Sequence, residues 1–507
     1  MNQRWKWLFV SWAAIFVAML AWSLATPIGS APDDTGHIPK AAATVRGQFV
    51  GAPTSRKGIE TFELPGDVAN VAPLVCNAFN WNRPDDCDTN LGTQPRRVMS
   101  IDSGVGSYNP LYYAAVGWPT LFMHGNPAVY AMRALSALAS SFFLAIVFYC
   151  VAQLSRGRAA VMTATSIAFT PMTFYLGGMI NPNGLEIACL AAISALAFLI
   201  VATPEGIPAT QHLVLLGVAI AVGTNLRATT ALYIVVALVP PLIVAGLSGA
   251  KRLFLNKRVL AVAVPTAIFS AAGVAWTVFV SARAGYIPNA LSPRPGWWGG
   301  LLYTLGETPE FFRQEIAVMG WIDARSPGWV YTTWLVLIVG LVVAWLVTVR
   351  GRGIVAGTVA LAAAFLMPNV LQPPITHVYG FIWQGRYSLP LLVSALVGVG
   401  FLIARARPVR DLERWWMAAL WSAGFVAVCL NLVAFSYALR RYSVGNLQRL
   451  LTMFVSPVWS PPGGVATVVV AYAVALSSIV VIGWWVSRRR AVPRSSEPTS
   501  SRLETAP

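Results

Sequence analysis

Residues 7–37 read WLFVSWAAIFVAMLAWSLATPIGSAPDDTGH: an apolar run from Trp7 to Ala25, then proline, glycine, serine and two adjacent carboxylates. A run of this length crosses a hydrocarbon core of roughly 30 Å as a helix, because in lipid every backbone N–H and C=O must be paired within the segment. Arg4 and Lys6 precede it and no small-residue cleavage site follows. It therefore reads as a retained first helix with a cytoplasmic N-terminus rather than a cleaved signal.

Working outward, comparable runs recur near 129–152, 159–178, 185–202, 212–226, 229–248, 259–281, 329–349, 353–371, 387–404, 415–437 and 464–487, about twelve spans in all. Of 507 residues, 56% are hydrophobic and 11% charged, which leaves more apolar surface than a soluble fold can hide. The expected fold class is all-α, a polytopic integral membrane protein with a large first extracytoplasmic loop. Arg156, Arg158, Lys251, Arg252, Lys257, Arg258, Arg350, Arg352, Arg405, Arg407, Arg410, Arg414 and Arg488 to Arg490 all fall on one side of this arrangement. That is the positive-inside pattern of a plasma-membrane protein, with these loops cytoplasmic. The formal charge of +17 is spread over helix ends rather than gathered on one face, so nucleic acid is not an expected partner.

The organisation expected is a first helix in 1–25, an extracytoplasmic segment 26–128, helices two to seven over 129–281, an amphipathic outer segment 282–328, helices eight to twelve over 329–487, and a Ser/Pro-rich disordered cytoplasmic tail 488–507. The hairpin over 203–228 is the least defined, because the 212–226 run is short and the loop at Glu205 carries no cation. Tyr108 to Met123 is apolar but too short to span, which fits an interfacial or re-entrant helix. Cys76 and Cys87 share a polar outer loop and read as a disulfide, whereas Cys150, Cys189 and Cys429 sit singly in apolar runs.

The chemistry is concentrated where the first helix ends, at Pro32-Asp33-Asp34-Thr35-Gly36-His37. Two carboxylates and a histidine at a membrane surface can act as a general base or hold a divalent cation. Mutual repulsion and partial desolvation would raise one carboxylate's pKa. An exposed acidic helix start is written with the same letters. No Gly-rich phosphate loop, zinc-type Cys/His spacing or nucleophile elbow occurs in the chain.

The stretch Pro32 to Gln48, with Asn109-Pro110-Leu111-Tyr112-Tyr113, Asn181-Pro182-Asn183-Gly184, Gly320-Trp321-Ile322-Asp323 and Gln384-Gly385-Arg386-Tyr387, resembles the bacterial membrane family called domain of unknown function 2142. That family is similar to the C-type (GT-C) glycosyltransferase superfamily. The resemblance implies a transferase that takes sugar from a polyprenyl-phosphate donor and passes it to a cell-envelope glycan or lipid acceptor. An acidic residue of the first outer loop would be the base, a place that Asp33 and Asp34 both occupy, with His37 beside them. Many members carry Asp-Glu at this point, so Asp-Asp shortens the second side chain and leaves open which is the base.

A lipid-linked phosphate needs fixed cations at the interface. Arg227 and Arg386 are placed for it, and Lys40 and Arg46 follow the carboxylates at helical spacing, either to bind phosphate or to neutralise Asp33 and Asp34. Snorkelling accounts for Arg386 equally well. Asn109, Tyr112, Asn181, Asn183, Trp321, Asp323, His377 and Tyr387 are candidates for substrate contact, against turn, cap and aromatic-belt roles for the same residue types. No cofactor is required by these patterns beyond the divalent cation that the carboxylates could hold. A transporter or flippase of lipid-linked precursors, or a non-catalytic membrane scaffold, are the competing functions. The first of these expects ionisable residues inside the spans and a repeat, and the sequence offers little of either.

Overall fold

The computed structural model describes residues 3–87, 90–202, 209–282, 292–406 and 412–488. The tail and the Glu205 loop expected from sequence fall outside these. The chain forms a helical bundle. Its long helices are α1 (Gln3–Ala25), α4 (Gly125–Val151), α7 (Pro182–Val201), α9 (Thr230–Phe254), α10 (Lys257–Trp276), α13 (Gly328–Thr348), α14 (Arg352–Leu371), α16 (Leu412–Val444) and α17 (Val465–Arg488). Among the described residues nine helices have the length and apolarity to cross a membrane, or ten counting one bent pair; α8 (Thr210–Gly223) and α15 (Leu389–Arg405) are shorter apolar helices.

The bent pair is α5 (Arg158–Ala168) and α6 (Pro171–Gly177), turned through 71°. Sequence periodicity reads 159–178 as one run, but Pro171 removes an N–H and disfavours helical geometry at the residue before it. Thr170 adopts extended backbone and caps the new helix by accepting from the Thr173 N–H. The break is therefore written locally, in Thr-Pro, within a run whose apolarity hides it.

Apolar faces sort the bundle. Helix α7 is nearly all buried and packs against α4, α8, α9 and α15, whereas α10 is mostly uncovered and presents Leu260, Val264 and Ile268 outward. Outward apolar residues on a helix of this length face lipid rather than a core.

At one end of the bundle lie α2 (Asp34–Thr44) and α3 (Pro110–Gly117), with a three-stranded antiparallel sheet of β1 (Ala52–Pro53), β2 (Glu60–Pro65) and β3 (Val98–Ser103). The sheet is an element the all-helical expectation lacked. Strand β2 alternates buried and exposed positions, as a half-buried strand must. Phe62, Leu64 and Ile101 thereby meet Ala42 and Ala43 of α2 in a small separate core. The same end carries α11 (Trp297–Gly306), α12 (Thr308–Ala317) and a hairpin of β4 (Val318–Met319) and β5 (Ala324–Arg325). Cys76 and Cys87 form a disulfide in the loop between α2 and α3.

Candidate functional site

The first carboxylates part company at the start of α2. Asp33 is the N-cap residue, yet its side chain makes no cap hydrogen bond; its backbone is left-handed (φ 62°), and its carboxylate turns instead to the Arg386 guanidinium at 2.7 Å. Asp tolerates that conformation better than most residues, at a cost of about 1–2 kcal/mol. The result is one carboxylate aimed away from its helix with 43% of its side chain exposed. The cap reading of Asp33 is thus set aside by geometry.

Asp34 faces the other way and is 1% exposed. It accepts from the Gly29 N–H at 3.1 Å and from Arg133 at 2.9 Å, while the same guanidinium also donates to the carbonyls of Ser23, Thr26 and Pro27. Gly29 is left-handed (φ 89°), and a Cβ there would lie 2.9 Å from the Leu74 carbonyl oxygen, so glycine is required. Asp34 is thereby withdrawn from the role of base that the sequence left open to both carboxylates: Arg133, buried in α4, uses it to fasten the exit of α1. The signal was present in the sequence, since an arginine inside an apolar helix must find an anion or carbonyls.

Burial pushes the Asp33 carboxyl up, but Arg386 foremost, then His37 and Arg227, pull it below its usual range. Asp34 moves up because burial outweighs Arg133. The raised carboxyl is therefore the sequestered one. Burial, reinforced by Arg386 and Arg227 against the pull of Asp33, holds the His37 imidazole at a pKa of about 4, so it is neutral at pH 7. Its Nδ1 lies 2.8 Å from the Tyr113 hydroxyl, with the two rings stacked.

Arg386 opens the segment before α15, and Arg227 lies between α8 and α9. The two guanidinium groups sit against one ring, that of Tyr387, at 4.5 Å for Arg227 and 5.2 Å for Arg386. Arg227 is ion-paired at 3.5 Å with Glu186, whose carboxylate also accepts from Asn183 and Thr230. Arg386 spends one nitrogen on Asp33 and the Tyr387 hydroxyl, while its Nε and Nη1 are buried with no acceptor. Beside Arg227 a narrow recess of about 40 Å³, room for little more than a water, is lined by Tyr108, Asn109, Asn225 and Thr229.

The structure thus brings together Asp33, His37, Arg227, Arg386 and Tyr387, with Asn183 one step behind through Glu186. Other candidates lie elsewhere or are already engaged. Lys40 is buried under α2, donating to the carbonyls of Phe49 at 2.5 Å and Gly106 at 2.6 Å, and burial, opposed by Glu60, lowers its pKa to about 8. Arg46 bonds the Ala42 carbonyl and Thr120. Neither meets Asp33, Asp34 or the arginine pair, which corrects the phosphate and charge-neutralising readings of both. Asn109 bonds Asn225 at the recess, and the Tyr112 hydroxyl is committed to Ser136. Asn181 caps α7 and donates to the Pro32 carbonyl. Asp323 is paired with buried Arg441 at 2.7 Å, Trp321 donates to the Gly29 carbonyl, and His377 is exposed on a short turn of helix after α14.

A divalent ion does not fit the first triad. Asp33 and Asp34 diverge to different arginines and His37 Nδ1 is engaged by Tyr113, so their ligand atoms do not converge. Among the described residues the metal-like cluster is Cys76, Asp86 and Cys87, whose sulfurs are joined as a disulfide.

Residues 16–395 match the model of the family described as Predicted membrane protein (DUF2142). The solved structures that the chain matches include two of one protein. ArnT from Cupriavidus metallidurans in the apo state has a TM-score of 0.46 and 16% identity, over 94% of this chain and 77% of that one. The same protein bound to undecaprenyl phosphate has a TM-score of 0.45 and 15% identity, over 96% and 78%. Comparison with curated proteins gave no match.

Proposed function

The chain belongs to the DUF2142 family of predicted membrane proteins, and from that premise we propose that it is a glycosyltransferase using a polyprenyl-phosphate sugar donor and an extracytoplasmic cell-envelope glycan or lipid acceptor. The observation that carries this reading is the Arg386 guanidinium, 5% exposed, bonded to Asp33 and left with two buried N–H groups facing no acceptor. Buried donors without partners are costly. A phosphate offers acceptors in the geometry that a guanidinium fork matches. Arg227, against the same Tyr387 ring, adds a second positive charge where a leaving phosphate would accumulate negative charge.

In this reaction the acceptor hydroxyl approaches Asp33 and gives it the proton. Its oxygen attacks the anomeric carbon from the face opposite the phosphate, the carbon–oxygen bond to phosphate breaks, and polyprenyl phosphate departs with the bonding electrons toward Arg386 and Arg227. The sugar is inverted. Asp33 and the donor phosphate share one guanidinium, the phosphate on its free Nε and Nη1. Negative charge brought there offsets the cation that steadies the carboxylate, and the proton affinity of Asp33 rises. Donor arrival would turn an ion-paired carboxylate into a working base. Arg133 holds Asp34 and the α1 exit in place, which fixes where Asp33 starts. No step is routed through a metal.

The test is transfer by the full chain reconstituted in vesicles, supplied with radiolabelled polyprenyl-phosphate sugars and envelope extract. Transfer by the native chain and its loss in folded Asp33→Asn are expected. Full activity of Asp33→Asn overturns the mechanism. Movement of lipid-linked sugar across the vesicle without transfer would make the chain a transporter.

A further inference from the structure

A second concavity opens at the same end of the bundle, beyond the exit of α1. Phe79, Trp81, Trp321, Ile322, Tyr437 and Arg440 line an open groove of about 630 Å³, within the size of sites that hold small organic ligands. Phe79 is 74% and Trp81 52% exposed, and the Phe79 and Trp321 rings lie 5.4 Å apart.

The groove is built rather than incidental. Arg441, fully buried, donates to the Arg83 carbonyl at 2.6 Å, the Asn77 carbonyl at 2.8 Å and the Asp323 carboxylate at 2.7 Å, tying the loop that bears Phe79 and Trp81 to the turn that bears Trp321. Asn446 donates to the Trp81 carbonyl, and the Leu447 N–H to the Asn82 side chain. Among the described residues three non-glycines have left-handed backbone: Asp33, Phe79 and Ile322. Each costs about 1–2 kcal/mol, most for a β-branched residue. Such strain persists where surrounding structure enforces it and gathers at ligand sites. One of the three presents the candidate base, and the other two line this groove.

The groove and the base are joined. Trp321 Nε1 donates to the Gly29 carbonyl at 2.9 Å, and the Gly29 N–H donates to Asp34, the residue after Asp33. The occupant is indicated by the lining. Flat aromatic faces in a concavity suit the C–H faces of a sugar ring, whereas a lipid-facing belt spreads over a convex surface. A sugar's hydroxyls also need edge donors. Arg440 stacks on Tyr437 at 4.5 Å and has a buried Nε with no acceptor, while Arg325, the other cation lining the groove, is bridged to Glu310.

We infer that this groove binds a carbohydrate chain, with a sugar ring on Phe79, Trp81 and Trp321 and a sugar oxygen on Arg440, and that it is the acceptor subsite of the transferase. Its role as acceptor subsite rests on the transferase reading; its binding of carbohydrate does not.

The experiment separates the two. The full chain in nanodiscs is applied to an array of bacterial envelope polysaccharide fragments, and the same preparations are assayed for transfer. The native chain is expected to bind fragments that Phe79→Ala and Trp81→Ala lose at least tenfold, that Phe79→Tyr and Trp81→Phe retain, and to show a KM for acceptor raised in the alanine variants with donor KM unchanged. Absence of glycan binding by the native chain, or binding indifferent to both alanine substitutions, overturns the groove whatever the transfer assay gives. Quenching of Trp81 fluorescence by brominated lipid in the nanodisc would place the rings in headgroups and also overturns it. Glycan binding without any sugar transfer sustains the carbohydrate site and removes its acceptor role, together with the proposed function. If an alanine variant fails to fold, Trp81→Leu with a thermal-unfolding control replaces it.

Discussion

Asp33 and Arg386 are 353 residues apart in sequence and 2.7 Å apart in space. This pair joins the exit of the first helix to the entry of α15, and it divides the two adjacent carboxylates into an accessible one and a structural one. Each consequence can be measured.

Asp33→Asn and Asp34→Asn should differ in kind. The first removes a half-exposed carboxylate that water can partly replace, and is expected to abolish transfer with a smaller loss of thermal stability than the second. The second strands Arg133, a buried cation, and breaking a buried pair costs about 3–5 kcal/mol. Unfolding in detergent followed by circular dichroism reads the difference, and equal stability of the two variants would refute the assignment.

Arg386→Lys should keep the charge and lose the fork. Lysine cannot place two donors on a phosphate while holding Asp33. Binding of polyprenyl phosphate, measured by displacement of a fluorescent analogue, is expected to weaken at least tenfold, with the same direction in Arg227→Lys. Unchanged affinity in both would remove the phosphate site.

His37 should give the protein an acid-sensitive limb. Its folded pKa is about 4 against an ordinary value of 6.5, so the unfolded chain takes up the proton at higher pH. The stabilising contribution is therefore complete above pH 6.5 and is lost as pH falls toward 4, in all roughly 3 kcal/mol. His37→Gln should flatten that slope in thermal unfolding between pH 7 and pH 4.

Lys40→Met should separate structure from chemistry. It removes the donor to two carbonyls beneath α2 and leaves Glu60 without its cation, at about 1–3 kcal/mol for each buried group left unpaired. Transfer per folded molecule is expected to stay within twofold of the native chain. A loss of polyprenyl-phosphate binding instead would return Lys40 to the site.

Cys76→Ser should loosen the loop that bears Phe79 and Trp81. A bridge across 11 residues contributes about 3 kcal/mol by loop entropy. Lower thermal stability and loss of the faster-migrating oxidised form on a non-reducing gel are expected.

Much of the site was legible, though not its wiring. Arg227, Arg386, Asp33 and Tyr387 stand out because charged and aromatic residues at the ends of apolar runs are few, and the structure gathers them. Arg133 and Arg441 are visible as arginines inside long helices, but a sequence does not say which distant carbonyls a buried guanidinium will find. Lys40 misleads for the opposite reason: helical spacing from Asp33 suggested a shared face, but α2 lies on the β-sheet and that face is the buried one. The Thr170-Pro171 break was visible as letters, and the apolar run around it outweighed them.

The order of amino acids alone makes this a helical membrane protein, because the length and apolarity of each run leave the backbone no other way to satisfy its hydrogen bonds in lipid. It also puts two carboxylates and a histidine where α1 ends. Which carboxylate is available follows from helix packing, since Asp33 and Asp34 are chemically alike and differ by the arginine each meets, Asp34 one from α4 and Asp33 one from the entry to α15. Such partners are fixed by helix packing over hundreds of residues, and no local pattern carries that information.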